Sequence, residues 1–523
     1  MRGVEAAFVA LLLTAGAAVA AEPKGGEDAA TLFVGQCGEC HGPDRLGRMG
    51  PALILESLAR LRKPAAVAVI AKGRPQTQMP GFADKLTEAQ IASLIEYIYT
   101  PLAVMPVWGD ADIRAARVTV TPPEKLPAKP VFDADPLNLF IVVEQGDSHV
   151  TVLDGDKLAP IARFPSRFAL HGGPKYSPDG RFVYFASRDG WITKFDMWSL
   201  QVVAETRAGI NTRNLAISAD GRVVMVANYL PHTLVVLSAE DLSPLKVIDV
   251  RDKDNKRSSR VSAVYQAEPR DSFVVALKDV PELWVINWTE NPPPVYRGMV
   301  HSYEKGMIEG LAEKGPFPIQ RIELSQPLDD FFFDPSYTHV LGSARDGGKA
   351  VVVNLNVRRE IAEIALPGLP HLGSGITWEH EGRPVIATPN LKEGRVSVID
   401  MRRWSLIKKI DTLGPGFFMR SHENTPFAWV DNSFSKARDT LQIIDKRSLE
   451  VVAALTPEPG KTASHVEFSR DGRYALVSVA EEDGWLVIYD AATLKEVKRL
   501  PMKKPSGKYN VYNKITRSQG TSH

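Results

Sequence analysis

From Val131 onward the apolar positions come in short β-rich runs without a helical period, and each run closes on a small apolar group followed by a polar residue. The endings are Val152-Leu153-Asp154, Thr193-Lys194-Phe195-Asp196, Val236-Leu237-Ser238, Val285-Ile286-Asn287, Val352-Val353-Asn354, Val398-Ile399-Asp400, Ile443-Ile444-Asp445 and Ile488-Tyr489-Asp490. Their last residues are spaced by 42, 42, 49, 67, 46, 45 and 45 positions. Turn signals recur in phase as Ser177-Pro178-Asp179-Gly180, Ser218-Ala219-Asp220-Gly221 and Ser469-Arg470-Asp471-Gly472. A period near 45 residues with several strands per unit is that of propeller blades, and the endings predict an all-β eight-bladed propeller over residues 131–523. Seven blades would require one ending to be accidental. The longest interval carries an insertion, roughly Glu290 to Pro318, rich in proline, glycine and charge.

The N-terminal stretch has a different pattern. Residues 29–34 form a helix-like segment leading into Cys37, and Thr87 is a natural N-cap for a helix with Ile91, Leu94, Ile95 and Ile98 on its apolar face. This helical unit covers residues 22–104. A linker over 105–130 separates it from the repeats; with Pro101 ahead of it, the stretch holds Pro106, Pro122, Pro123, Pro127 and Pro130, and it is expected to run extended over the propeller. Residues 1–21 have the layout of a secretory signal peptide, with Arg2, an apolar run from Ala6 to Ala15, and Ala18-Val19-Ala20 for cleavage. An uncleaved anchor is the alternative. No other segment approaches the roughly 18 apolar residues of a membrane span. The expected location is the periplasm.

Composition narrows the function. With 63 basic and 62 acidic residues among 523, nothing points to nucleic acid or an anionic membrane surface. Both cysteines lie in Cys37-Gly38-Glu39-Cys40-His41. Two thiols at this spacing each add to a vinyl group of one haem, and the following histidine then lies beneath the iron. A zinc site would need further ligands nearby, and no other cysteine exists. A redox dithiol has no use for the histidine and would sit near a βαβ pattern, which is absent. Covalent haem c, with Cys37 and Cys40 as its attachment points, also agrees with export, because its attachment in bacteria is completed outside the cytoplasm.

Ahead of the Thr87 helix, Gly73-Arg74-Pro75-Gln76-Thr77-Gln78-Met79-Pro80-Gly81-Phe82 resembles the methionine loop of class I cytochromes c, a small all-α fold. That likeness implies His41 and Met79 as axial ligands, with Met49 beside Gly50-Pro51 as the alternative sulfur. Histidine with methionine raises the haem potential relative to two histidines, which suits an electron acceptor. In the repeats, His171-Gly172-Gly173-Pro174-Lys175-Tyr176-Ser177-Pro178-Asp179-Gly180, Ser187-Arg188-Asp189-Gly190, Phe195-Asp196-Met197-Trp198, Asn228-Tyr229-Leu230-Pro231, Leu369-Pro370-His371-Leu372-Gly373 and Ser506-Gly507-Lys508-Tyr509-Asn510-Val511-Tyr512-Asn513 resemble the cytochrome cd1 family. In that family a cytochrome c domain precedes an eight-bladed propeller that holds haem d1. The resemblance implies His171 as proximal ligand of the d1 iron, and His371 on its other face as distal ligand or pocket acid.

Two departures from the nitrite-reducing members matter. Their first pocket histidine aligns with Asp329 in Pro327-Leu328-Asp329-Asp330-Phe331-Phe332-Phe333-Asp334, whose phenylalanines are expected to make the neighbourhood apolar. His465, in Ala463-Ser464-His465-Val466-Glu467-Phe468, has no counterpart in their pattern. The chain is more similar to the dihydro-haem d1 dehydrogenase branch, which implies oxidation of a propionate of dihydro-haem d1 to an acrylate, with electrons passed to the c haem. His465 is then the candidate base, since imidazole titrates near neutral pH. Carboxylates on the substrate call for Arg163, Arg167, Arg188 and Arg213 as anchors, with Tyr229 and Tyr509 as hydroxyl donors. Arg188 with Asp189 also reads as a blade-turn ion pair, and Arg163 and Arg167 as surface residues. His422 and the remaining histidines read as structural. A cytochrome cd1 nitrite reductase and a non-catalytic haem d1 carrier are the alternatives. The implied partners are the haem d1 precursor, an external electron acceptor, and, transiently, other maturation proteins and the cd1 nitrite reductase.

Overall fold

The polar residue that ends each repeat caps the tight turn into the outermost strand of a blade. Asp154 Oδ1 accepts from the amides of Asp156 and Lys157 at 2.8 and 3.0 Å. Asn354, Asp400, Asp445 and Asp490 each accept two amides in the same way. The chain then reverses at a left-handed residue: Leu158, Leu200, Leu242, Arg358, Trp404, Leu449 and Leu494 all have φ between 52° and 62°. The Ser-x-Asp-Gly signals close the turn between a blade's first and second strands. Ser218 Oγ donates to Asp220 at 2.6 Å and accepts from the Val223 amide at 3.0 Å, and Ser469 does the same with Asp471 and Tyr474.

Eight antiparallel sheets result among the described residues, as expected from the repeat, and each has four propeller strands. The structure is a computed structural model that describes residues 28–48, 50–58, 61–74, 79–104, 106–167, 169–170, 172–297, 311–344, 348–366, 368–517 and 519–520. The signal segment, Met49, His171, His301 and much of the insertion lie outside the described residues. Beside that gap the insertion contributes a hairpin of Val295–Arg297 with Leu311–Glu313. Numbering blades along the chain, the innermost strands of blades 2 to 8 are Lys175–Tyr176, Asn211–Ile217, Val261–Ala267, Leu328–Phe333, Ile376–His380, Met419–Arg420 and Ala463–Phe468. Blade 1 takes its innermost strand from the C-terminus: Pro505–Asn510 pairs antiparallel with Leu139–Glu144.

The apolar core lies between consecutive blades. Val236 and Trp284 share a cluster between blades 3 and 4, Val274 and Phe331 between blades 4 and 5, and Trp429 and Phe468 between blades 7 and 8. Because each blade packs its apolar side chains against its neighbours, the axis is left to polar groups. After the closing strand, the helix Val511–Thr516 and the residues behind it cross one end of the ring. Arg517 donates to Tyr337 and Gln266, the Gly520 amide to Thr377 O at 3.0 Å, and the Ser421 amide to Gly520 O at 3.0 Å.

The stretch expected to be an extended linker is only partly so. Asp110–Ala116 is a helix whose Gly109 amide is capped by Asp112 at 2.8 Å, and Ile113 is fully buried between blades 2 and 3. Val118–Thr119 then adds a fifth strand to blade 2. Burial of one isoleucine and the N-terminal acids outweigh the flanking prolines.

In the small domain, Thr87 caps Glu88–Ile98 through a reciprocal pair of bonds with Gln90, and Ile91, Leu94, Ile95 and Ile98 pack on Leu32 and Phe33 of Ala29–Gln36. Arg45 joins this helix to the cysteine loop, donating to Tyr97 O and Thr100 O at 2.6 and 2.9 Å.

Closure of the ring is clasped by Asn510, which donates to Asn138 Oδ1 at 3.1 Å and caps the following helix by accepting from the Asn513 amide at 3.2 Å. Replacing Asn510 with alanine is expected to cost about 1–3 kcal/mol, read as a lower thermal or denaturant midpoint. An unchanged midpoint would refute the clasp.

Candidate functional site

The cysteine loop is shaped for a covalent macrocycle. Cys37 borders the helical core, as does Met79, so the two attachment chemistries face one apolar pocket. Burial, with Cys40 adding to it, pushes the Cys37 thiol up to about 11, and burial also raises Cys40. His41 is buried and its Nδ1 donates to Pro51 O at 2.8 Å, which leaves Nε2 as the lone-pair nitrogen. Gly50 lies directly on that ring, because a Cβ there would be 2.7 Å from Cε1. Gly73 has φ +73° and a Cβ would meet Met79 O at 2.6 Å, so the methionine loop also requires its glycine. Two thiols, an oriented imidazole and a thioether fit a c-type haem.

The small domain docks on blades 2 and 3. Ala52 and Ile54 pack with Ile210 and Leu230, and Trp108 donates to Arg207 O at 2.9 Å. A cavity of about 550 Å³ lies between the domains, lined by Glu39 and Arg48 on one side and by Arg167, Asp189, Trp191 and Arg207 on the other. Arg74, at the start of the methionine loop, lies close enough to Arg188 to lower its pKa. Arg74 thus lies on the side of the small domain that faces the propeller.

That axis carries an ionisable residue from blade after blade. Lys175, Arg213, Asp330, Arg420 and Lys508 come from innermost strands or their edges, and Lys514 from the C-terminal helix. They act on one another: burial drives Lys175 down to about 8 against the pull of Asp330, with Arg420, Arg517 and Arg213 adding to the drop. Burial, then Arg213, brings Arg188 down to about 10. For Arg213 burial is the largest effect and acts downward, but Tyr229, Asp330 and Tyr265 together hold it raised. Tyr229 would be raised by burial, yet Arg213, Lys278 and Arg188 outweigh that and bring its phenol down to about 7. Tyr509 goes the other way, pushed up to about 12 by burial against Arg420. The Arg420 guanidinium has a buried Nε without a partner. An excess of buried cations with an orphaned guanidinium nitrogen fits a ligand that carries several carboxylates.

Two histidines stand over this ring. His371 donates from Nδ1 to Phe417 O at 2.6 Å and stacks on Phe417 with centroids 4.2 Å apart. Its Nε2 is the nitrogen left for iron, and burial keeps the ring neutral by lowering its pKa. His465 is 1 % exposed, and neither of its ring nitrogens has a partner. It lies between Phe418 and Tyr509, at centroid distances of 4.6 and 5.2 Å. Burial, then Lys508, Arg420 and Lys514, hold it well below its ordinary range. In the substrate-free protein this imidazole is therefore displaced downward from the ordinary histidine range, because burial, and then the neighbouring positive groups, disfavour the imidazolium.

Other expected residues divide. Arg188 and Tyr229 lie together, the guanidinium 5.8 Å from the ring, while the Asp189 carboxylate accepts from Ser187 Oγ. Arg163 is placed elsewhere: it binds Glu144 and Asp147 at 2.9 and 2.5 Å on the outer strand of blade 1. Arg167 binds Glu205 at 2.6 Å, covers Trp191 at 3.9 Å and lines the interdomain cavity. Both arginines leave the strand toward carboxylates of their own or the next blade, which no single-sequence pattern reveals. Asp329 pairs with Lys278 at 3.4 Å. The phenylalanines behind it do not line the pocket, because strand alternation sends Phe331 and Phe333 between blades 4 and 5 and Phe332 between blades 5 and 6. Phe417 and Phe418 are the aromatic neighbours of the histidines instead. Lys175, Lys278, Arg420, Lys508 and Lys514 were not singled out by sequence. For Lys175, Arg420 and Lys508 the signal is a cation within an innermost strand, whereas Lys278 follows the second strand of blade 4 and Lys514 lies in the C-terminal helix. His422 Nδ1 accepts from the Asn424 amide at 3.1 Å, and its Nε2 is buried without a partner.

Comparison with known proteins agrees with this arrangement. The family model described as Cytochrome D1 heme domain matches residues 134–302 and 303–514, and the one described as Cytochrome C oxidase, cbb3-type, subunit III matches residues 25–98. The chain belongs to the cytochrome d1 haem-domain family, with a cytochrome c domain ahead of the propeller. Within it, the chain is 53% identical over 515 residues to the dihydro-heme d1 dehydrogenase of Pseudomonas aeruginosa, covering 98% of this chain and 99% of that protein. A solved structure of dihydro-heme d1 dehydrogenase NirN in complex with DHE superposes with a TM-score of 0.81 at 53% identity, over 93% of this chain and all of that one. A nitrite reductase of Stutzerimonas stutzeri is 24% identical over 535 residues, covering 92% of each chain. Among the described residues no helix is long and apolar enough to cross a membrane.

Two measurements check the site. Met79→Ala is expected to abolish the sulfur-to-iron charge-transfer band of the c haem and lower its potential; a retained band would refute Met79 as ligand. In protein free of d1 ligand, raising the pH through about 7 converts the Tyr229 phenol to phenolate, because the surrounding cations stabilise that anion. Ultraviolet difference titration is expected to show this step in the wild type and not in Tyr229→Phe, and its absence from the wild type would refute the cation cage.

Proposed function

We propose that this protein oxidises dihydro-haem d1 to haem d1, converting a propionate side chain, –CH2–CH2–COO⁻, to an acrylate, –CH=CH–COO⁻. Two electrons and two protons leave per turnover. The observation that carries the reading is His465, an imidazole fully buried at the propeller axis with both nitrogens unpartnered. A neutral imidazole is required to accept a proton from the side chain. The cations that depress its basicity, Lys508, Arg420 and Lys514, are the groups a carboxylate-bearing substrate would neutralise, so binding restores the base that the reaction needs.

The remaining roles follow. His171 and His371 ligate the substrate's iron, and the His371 Nδ1–H bond to Phe417 O supports that ring's orientation. Arg188, Arg213 and Arg420 hold carboxylates, with hydroxyls of Tyr229 and Tyr509 beside them. Arg163 and Arg167 have no part in it. Bound through Cys37, Cys40, His41 and Met79, haem c supplies one-electron transfer; two electrons per turnover then require an external acceptor. The signal-like residues 1–21 and the haem c motif support a periplasmic location. Non-covalent product has to be handed on, which supports transient contact with other maturation proteins and with the cytochrome cd1 nitrite reductase. The nitrite-reductase alternative is disfavoured by Asp329, whose carboxylate at Lys278 puts negative charge where an anionic substrate and its proton donor would have to sit. A pure carrier would have no use for an electron-accepting domain.

The test mixes purified protein with dihydro-haem d1 under anaerobic conditions and follows the bound spectrum and the extracted macrocycle. Wild type is expected to yield haem d1. His465→Ala is expected to bind substrate and convert it about 10²-fold more slowly or worse, the scale of a lost general base. Normal product formation by that variant would sink the assignment.

A further inference from the structure

Strand Ala463–Phe468 carries a bulge between Ser464 and Val466, and His465 is the extra residue, left-handed at φ 46°. A bulge re-aims a side chain out of the in–out alternation of a strand. A non-glycine residue stays in this conformation only where its surroundings over-determine it. The surroundings here are specific. Lys508, 0 % exposed, donates from Nζ to the His465 carbonyl and to Ser478 Oγ, the latter at 2.8 Å. Ser478 lies opposite Ser464 in the next strand, so the two bonds tie the bulge to its partner strand. Lys508 reaches it from Pro505–Asn510, the strand that closes the ring. A surface lysine would be exchangeable here, but a buried one without acceptors would be costly.

We propose that Lys508 is a positioning residue for the reaction: its bridge from the His465 carbonyl to Ser478 locks the bulge that aims the imidazole at the substrate side chain. This rests on the reading that His465 accepts the proton. Lys508 makes no contact with the reacting atoms in this scheme; it acts through His465. The donation needs two N–H groups, which the side chain keeps whether charged or neutral, so the clamp survives the strong downward pull of burial on its ammonium.

The same contact sets the charge environment of the imidazole. Facing or flanking it are Lys508 and Tyr509 from the closing strand, Arg420 from blade 7, Lys514 from the C-terminal helix, and Glu467 from its own strand, which interacts with all three cations. Lys508 is the largest charged contributor holding His465 low. Its removal therefore moves the imidazole's titration upward, toward the ordinary histidine range.

The test uses full-length protein carrying Lys508→Met, which keeps the side chain's length and removes its donors, together with His465→Ala and the double variant. Three quantities are read: the spectrum of bound dihydro-haem d1, single-turnover conversion, and the His465 titration by NMR of labelled histidine in protein without the substrate. Lys508→Met is expected to weaken substrate binding only modestly, because Arg188, Arg213 and Arg420 remain, and at saturating substrate to convert it about 10–100-fold more slowly. In the His465→Ala background it is expected to cost almost nothing further, the signature of a residue acting through another. Its His465 titrates at higher pH than in the wild type. Wild-type conversion by Lys508→Met, or losses that simply multiply in the double variant, would overturn the proposal. If Lys508→Met does not fold, Ser478→Ala removes the second anchor of the clamp and is expected to show a smaller loss with the same non-additivity; wild-type conversion by it overturns the clamp. Failure of the wild type to convert dihydro-haem d1 would sink the dehydrogenase reading itself, and the His465 ring resonances of Lys508→Met in substrate-free protein still decide the clamp, resonances unchanged from the wild type overturning it.

Discussion

The pairing of Pro505–Asn510 with Leu139–Glu144 joins the two ends of the repeat array into a ring. Blade 1 has no innermost strand without it. The same six residues bring Lys508 beneath His465 and Tyr509 against the His465 ring. The helix and tail that follow cross the ring toward blades 4 to 7, so the floor of the pocket also depends on that pairing. Stability and chemistry therefore share one strand. A repeat protein usually distributes its stability among neighbours; here the closing contact also decides whether a functional pocket exists.

Once the ring is closed, electrostatics shapes its interior. Apolar side chains fill the spaces between blades, and the axis receives Lys175, Arg188, Arg213, Lys278, Arg420, Lys508 and Lys514 against Asp329, Asp330, Asp431 and Glu467. Burial, and after it the neighbouring like charges, push these groups toward neutrality, as Lys175 and Arg188 show. Such a site suits an anionic ligand, which would relieve the mutual repulsion. The positive groups that would attract carboxylates are those that hold the His465 imidazole low.

Docking of the cytochrome domain adds a second constraint. Ala52 and Ile54 of that domain pack on Ile210 and Leu230, with Arg74 near Arg188 and Glu39 across a cavity from Trp191. The helix Asp110–Ala116 holds this arrangement from the side, through Ile113 in the propeller core and Trp108 at Arg207. The connecting stretch is thus a structural element of the interface.

Local patterns in the chain determined a great deal. The repeat endings specify blades because each Asp or Asn caps a turn within three residues of itself, and Thr87, Cys37, Cys40 and His41 act with neighbours equally close in sequence. Motifs of that kind are legible without a fold. Contacts that span the ring are not. Arg163 and Arg167, adjacent to quoted motifs, turn to Glu144 and Glu205 instead of the pocket. The run Phe331–Phe333 looks like a pocket wall and is divided between two interblade cores by strand alternation. Lys508 and His465 are 43 residues apart and meet only through ring closure. Sequence by itself determined the blade count and the helical haem domain, because those depend on spacing along the chain. Tertiary structure alone decided which cations surround His465 and which way its imidazole points, because the setting of a buried group comes from neighbours brought from every blade at once.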